Sequence, residues 1–268
     1  MPGPDTLFGI DTSAQGYQRP EQGPPVIVFE DIWKRFGSTI IYEGLNLTVH
    51  KGETITILGG SGSGKSVLLK CLLRLLTPER GHIYAFGEEI TGRNETQMLP
   101  IRARIGMLFQ GAALFDSMDV AANIAYPLRQ HGWTDEKRIR DRVAETLDLV
   151  NLPGIEAKWP AELSGGMKKR IGLARAIAIE PEVILYDEPT TGLDPSNVKN
   201  IDGLIMSMQE KLGVTSIVVT HDMASAFRVS DRIAMLWDKR LVWTGWKDEV
   251  LTSGHPVVQA FIKGELEG

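Results

Sequence analysis

The sequence predicts an α/β fold in which a parallel sheet is covered by helices on both faces, preceded by an antiparallel β-subdomain and interrupted by a helical insert. Three observations lead to it. Short apolar runs of strand length alternate with helical patterns, as at 54–58, 183–186 and 216–219. Gly59, Gly60, Ser61, Gly62, Ser63, Gly64, Lys65 and Ser66 fit the pattern G-x-x-x-x-G-K-[ST] at every fixed position, between one such strand and a helix. The run 183–186 ends in two adjacent acids, Asp187 and Glu188.

Residues 1–25 are rich in Pro, Gly, Gln, Asp and Thr without apolar periodicity, and predict a flexible leader outside the fold. Two alternating stretches between Val26 and Val49 predict antiparallel strands, with Val26, Val28, Leu45, Leu47 and Val49 turned inward. The strand 54–58 enters the glycine-rich loop, and 66–73 forms the helix beyond it. Residues 81–87, bounded by glycines, and then 105–109 predict further strands, with Gln110 where the second ends. From 111 to 163 the pattern turns helical, Val143, Leu147 and Val150 sharing one face, which predicts an inserted helical subdomain. The alternation resumes with a helix from Gly165 to Ile179 stopped by Pro181, the strand 183–186, a helix to Leu212 closed by Gly213, and the strand 216–219. A hairpin around Asp238, Lys239 and Arg240 follows, and 251–268 is expected to be a short tail without room for an appended regulatory domain.

The 268 residues suffice to bury a substantial core. With 29 basic and 34 acidic residues the formal charge is −5, so no basic field argues for nucleic acid or for direct contact with lipid head groups. The single cysteine, Cys71, excludes an internal disulfide and sits among leucines, as a core residue would. No apolar stretch approaches the ~20 residues that span a bilayer, so any membrane association is expected to go through a partner.

Each motif has a chemistry. Glycines in the 59–64 loop let the backbone turn sharply and aim its N–H groups at phosphate oxygens, while the following helix directs its positive dipole end at the same anion. Lys65 adds a full charge, and the Ser66 hydroxyl is a ligand type suited to Mg²⁺. Two carboxylates at the end of a buried strand require a compensating ion or partner: Asp187 suits Mg²⁺ held through a water, and Glu188 suits orienting and polarising an attacking water. Ser164 can cap the helix after it, and an ordinary capped helix accounts for Ser164 but not for the paired glycines Gly165 and Gly166. By residue type alone, Gln110 reads as a polar strand terminus, His221 as a structural histidine, Phe36 as a buried aromatic at a strand end, and Lys168, Lys169 and Arg170 as a solvated helix face.

Leu163, Ser164, Gly165, Gly166 and Met167 resemble the signature motif of ATP-binding cassette (ABC) ATPases. The order of phosphate loop, Gln110, signature, acid pair (the Walker B pattern) and His221 is similar to that superfamily from about residue 26 to 250. The resemblance implies a RecA-like phosphate-loop NTPase core built from 26–110 and 164–250, carrying an N-terminal antiparallel β-subdomain, with 111–163 as the helical subdomain and ATP and Mg²⁺ as cofactors. It implies that Phe36 stacks on adenine, that 59–66 with Val67 holds the phosphates, and that Ser66, Gln110 and Asp187 hold Mg²⁺. Glu188, His221, Gln110 and Lys65 become the catalytic residues, His221 by contacting the γ-phosphate. Ser164, Gly165 and Gly166 would complete the site of a second copy in a head-to-tail dimer, and Gly192-Leu193-Asp194 resembles the loop through which such paired subunits communicate.

Two stretches narrow the family. The signature, with Met167 where Gln is common, and the stretch 108–118 leading into 123–128 both resemble the ATPase of Mla-type lipid transporters, and 256–261 is similar to that family's short tail. This implies a peripheral subunit on the cytoplasmic face of a bacterial inner membrane, held by permease subunits and working with an MCE-domain protein and a small STAS-domain regulator. The permease would seat a coupling helix beside 111–130, with Ala112, Ala113, Leu114 and Phe115 in contact; internal packing of the insert explains the same residues. The competing readings are an ABC importer for amino acids, metals or another solute, and a nucleotide-gated module without hydrolysis. An ABC protein acting on DNA or ribosomes would carry coiled-coil insertions, paired cassettes or basic surfaces, and the sequence has none of these.

Overall fold

The structure, a computed structural model, describes residues 6–7, 10–11 and 19–265. In chain order its elements are β1 (Thr6–Leu7), β2 (Ile10–Asp11), β3 (Pro25–Phe36), β4 (Thr39–His50), β5 (Thr54–Leu58), α1 (Lys65–Leu72), β6 (Arg80–Ala85), β7 (Glu88–Glu89), α2 (Glu95–Arg102) and β8 (Ile105–Leu108). There follow α3 (Val120–Gln130), α4 (Glu136–Leu149), α5 (Gly165–Ile177), β9 (Val183–Asp187), α6 (Pro195–Leu212), β10 (Thr215–Thr220), α7 (Met223–Val229), β11 (Arg232–Trp237), β12 (Arg240–Trp246) and α8 (Pro256–Ile262). The chain divides into two compact units, one of Met1–Met98 with Thr215–Gly268 and one of Leu99–Val214.

In the first unit β3 and β4 are long antiparallel partners, and β6 pairs with the other edge of β3. Leu45, Leu47 and Val49 are buried as expected, but on β3 the inward residues are Ile27 and Phe29, whereas Val26 and Val28 are half-buried. The run Val26-Ile27-Val28-Phe29 is apolar at every position, so alternation cannot choose the face, and pairing register decides it. The second sheet of this unit runs β12-β11-β5-β10, with β5 parallel to both β10 and β11 and β12 antiparallel at the edge. Every residue of β5 and β10 is buried, the pattern of parallel strands covered on both faces.

The C-terminal segment joins this unit's core: Val250 and Val258 are fully buried with Leu58, Met223 and Phe227, and α8 supplies one of them. At the other end, β1 and β2 pair antiparallel, and Arg19 is bonded to Asp248 and Glu249. The rest of the leader expected over 1–25, up to residue 18, lies outside the described residues.

The second unit holds β8 parallel to β9, in the register Ile105 to Val183, with α5 packed on β8 and the helices α3 and α4 on α5. Asp119 and Asp135 cap α3 and α4 through their side chains. At the far end of α5, buried Arg142 donates from Nε to the Ala178 carbonyl at 2.9 Å and from Nη2 to that of Ile177 at 2.8 Å, satisfying carbonyls a helix end leaves open. No described helix is long and apolar enough to cross a membrane.

Candidate nucleotide site

The phosphate loop lies in the first unit between β5 and α1. Gly62 and Gly64 take φ of 77° and 103°, and a methyl group on Gly64 would come within 2.6 Å of Ile41 Cγ2, so only glycine fits that turn. The hydroxyl of fully buried Tyr42 donates to the Gly64 carbonyl at 2.5 Å, fastening the loop to β4. Lys65 opens the helix one residue earlier than expected. It is buried, and its Nζ donates to the Gly59 and Gly60 carbonyls at 2.8 Å each, placing the ammonium inside the loop's curve. Ser66 and Val67 follow in the first turn of α1, and the Val67 N–H donates to the Gly64 carbonyl at 2.7 Å.

Phe36 ends β3 with 47% of its surface exposed, which removes the reading of it as a buried strand-end aromatic. Lys34 Nζ stands 5.0 Å from its ring centroid and is itself bonded to Glu79. A groove beside it is lined by Trp33, Ser38, Ile40 and Tyr42. His221 is exposed directly after β10, where the next residue, Asp222, caps α7 by accepting from the Ser225 N–H.

The second unit carries the remaining positions. Gln110 is exposed two residues past β8, and the chain then turns through Ala112 and Ala113, both left-handed, at φ of 61° and 50°. Arg175 of α5 holds that turn by donating to both alanine carbonyls at 2.8 Å; burial lowers its pKa. Asp187 closes β9, and Glu188 follows it at φ 47° with 8% exposure. A non-glycine residue held there stores about 1–3 kcal/mol of strain and persists only where its surroundings over-determine it. The Thr191 hydroxyl donates to Glu188 Oε2 at 3.0 Å.

Ser164 caps α5, its Oγ accepting from the Met167 N–H at 3.3 Å, and Ser164 and Gly165 are exposed. Gly166 is buried, and packing demands a glycine there, because a methyl group would meet Asn197 Oδ1 at 2.4 Å. Asp194 caps α6 through the Ser196 and Asn197 N–H groups and also accepts from the Asn197 side-chain amide.

The basic run after the signature is not a solvated face. Lys169 is 5% exposed and its Nζ donates to the main-chain carbonyls of Gln110 and, at 3.1 Å, Glu188. Lys168 and Arg170 are half-buried. Burial lowers the Lys169 pKa, against the opposing pull of Asp187 and Glu188. The sequence carries a signal for this: 169, 172, 173 and 176 form one buried helical stripe. Lys169, Thr191, Asn197 and Arg175 are the functional-region residues that motif reading passes over.

Residues 42–191 match the family model described as ABC transporter. The chain belongs to the ABC transporter family. Its ATP-binding cassettes are ATPases, so the expected enzyme class is met at the level of the family. The chain is 46% identical over 235 residues to the probable ribonucleotide transport ATP-binding protein mkl of Mycobacterium tuberculosis, covering 88% of this chain but 66% of that one. It is 41% identical over 232 residues to the intermembrane phospholipid transport system ATP-binding protein MlaF of Haemophilus influenzae, covering 87% of this chain and 88% of that one. Among solved structures, the dimeric post-hydrolysis state of an ATP-binding cassette bound to ADP and Pi superposes with a TM-score of 0.76 at 30% identity, covering 82% of this chain and 98% of that one. The RecA-like core with its β-subdomain is therefore the fold of an ABC cassette.

Proposed function

We propose that this chain is the ATP-hydrolysing subunit of an ABC transporter that moves phospholipid or a related lipid with an MCE-type system. The observation that carries the reading is the likeness to the phospholipid transport ATP-binding protein over nearly the whole of both chains, where the ribonucleotide transport relative is spanned only in part. In this reading Lys65, the loop 59–64, Ser66 and Val67 hold the phosphates of ATP, and Phe36 offers its open ring to adenine. Ser66, Asp187 and Gln110 are all oxygen donors, with a single carboxylate, which suits a Mg²⁺ that keeps its remaining positions for phosphates and water. Bound there, Mg²⁺ supplies charge neutralisation at the phosphates. Glu188 accepts the proton of the attacking water, and His221 stands toward the γ-phosphate. Ser164, Gly165 and Asp194, all exposed, serve a second copy in a head-to-tail dimer, with Gly166 packed behind them against Asn197.

The partner surface in this reading is an apolar groove of about 410 Å³ in the second unit, lined by Phe109, Ala113, Phe115, Tyr126, Pro127 and Ile179. Phe115 and Tyr126 meet in a tilted ring contact, 4.8 Å between centroids, yet remain more than a third exposed. Of the stretch expected to meet a permease, Ala113 and Phe115 line the groove, whereas Ala112 is buried within the unit. A permease helix seated there would hold the subunit at the cytoplasmic face of a bacterial inner membrane. Affinity purification of the tagged chain from membranes, with identification of bound proteins and lipids, tests the reading. Recovery of a permease, an MCE-domain protein and phospholipid is expected. Recovery of a solute-binding protein with a ribonucleotide or other polar solute would contradict the lipid assignment.

A further inference from the structure

The ammonium of Lys169 has three N–H donors, and the carbonyls of Gln110 and Glu188 take up two of them. These two carbonyls belong to separate loops, one after β8 and one after β9, and both are bonded to a single side chain one turn into α5. That helix begins at the Ser164 cap. Glu188 is itself held in the left-handed region, a conformation that needs fixing from outside its own backbone. A group that merely filled space on this buried stripe would be apolar, as Leu173 and Ala176 are. Burying a cation there is unfavourable unless its donors are used.

We propose that Lys169 is a positioning residue for ATP hydrolysis: it fixes the main chain of Glu188 and Gln110 to α5, so that the Glu188 carboxylate and the Gln110 amide are held in register with the signature turn. The proposal rests on the reading of Glu188 as the residue that accepts the water proton. Lys169 itself touches neither ATP nor water in this role. It acts through the two carbonyls, so its loss should slow the chemical step while leaving ground-state binding of ATP in place.

The test uses the transporter complex recovered from membranes through the full chain, as wild type, Lys169→Met, Lys169→Arg and Arg142→Met. Arg142→Met is the stability control, because it removes an equally buried cation from carbonyls at the other end of the same helix. Phosphate release, binding of a fluorescent ATP analogue and Tm are measured for each. Lys169→Met should lose about tenfold or more in kcat with analogue affinity within about threefold of wild type, and Lys169→Arg should recover a large part of the loss. Arg142→Met should lower Tm with kcat within about twofold of wild type. Unchanged kcat in Lys169→Met, affinity falling in step with kcat, no recovery by Arg, or an equal kcat loss in Arg142→Met would each overturn the positioning role alone. Absence of ATP-dependent phosphate release by wild type would overturn the ATPase reading and this inference with it.

Discussion

Gly166 stands so close to Asn197 that a methyl group on it would lie 2.4 Å from the Asn197 Oδ1, and Asn197 is in turn bonded to Asp194. The second signature glycine and the loop ahead of α6 therefore pack as one piece. Two effects compete in Gly166→Ala: helix propensity favours Ala by about 1 kcal/mol, and overpacking costs about 1–3 kcal/mol. The clash should win. Gly166→Ala is expected to lower the urea midpoint in the wild-type background and to be neutral or stabilising beside Asn197→Ala, giving a clear coupling in the double-mutant cycle. Additive effects would show that the two side chains do not meet.

Asp194 gives a pH dependence of known sign. The Asn197 side-chain amide, and then the Asn197 and Ser196 N–H groups, hold its carboxylate below the usual 3.8. A folded pKa below the unfolded one means that the cap's stabilisation is fully present above the unfolded value and is lost as pH falls through the folded value. The gap in urea midpoint between wild type and Asp194→Ala should stay constant from about pH 5 to 8 and narrow below about pH 4. A gap that persists undiminished at pH 3 would contradict the cap's ionic character.

Cys71 should be chemically silent in the folded chain. It is fully buried on α1, and burial pushes its thiol up to about 11, so little thiolate forms at neutral pH. A disulfide reagent at pH 8 is expected to label it only as fast as the unit opens, and at once in denaturant. Rapid stoichiometric labelling of the native chain would place Cys71 outside the core.

The parts of the fold and site that are legible in the sequence are those where residue identity at fixed spacing is itself the chemistry. The loop ending in Lys65 and Ser66, and the strand tipped by Asp187 and Glu188, need particular residues next to one another, and β5 and β9 follow from the apolar runs that deliver them. The inward face of β3 is not legible, because Val26, Ile27, Val28 and Phe29 are equally apolar and only pairing register separates them. Lys169 is hidden for a different reason. A lysine between Lys168 and Arg170 looks solvated by charge, and the helical stripe that buries it becomes decisive only once two loop carbonyls are found to need its donors. Gly166 is legible as a glycine, but the reason for it lies about thirty residues along the chain at Asn197, a distance that no local pattern reports.

Steady-state phosphate release by Glu188→Gln, compared with wild type in the same membrane complex, tests the assignment of Glu188 most directly. Replacing the carboxylate by an amide keeps its shape and removes the base, which general acid–base catalysis values at roughly 10²–10⁴-fold. The variant is expected to bind ATP with near wild-type affinity, to release phosphate at least about 100-fold more slowly, and to accumulate as the closed dimer. Turnover by Glu188→Gln at the wild-type rate would contradict the assignment of Glu188 as the residue that activates water.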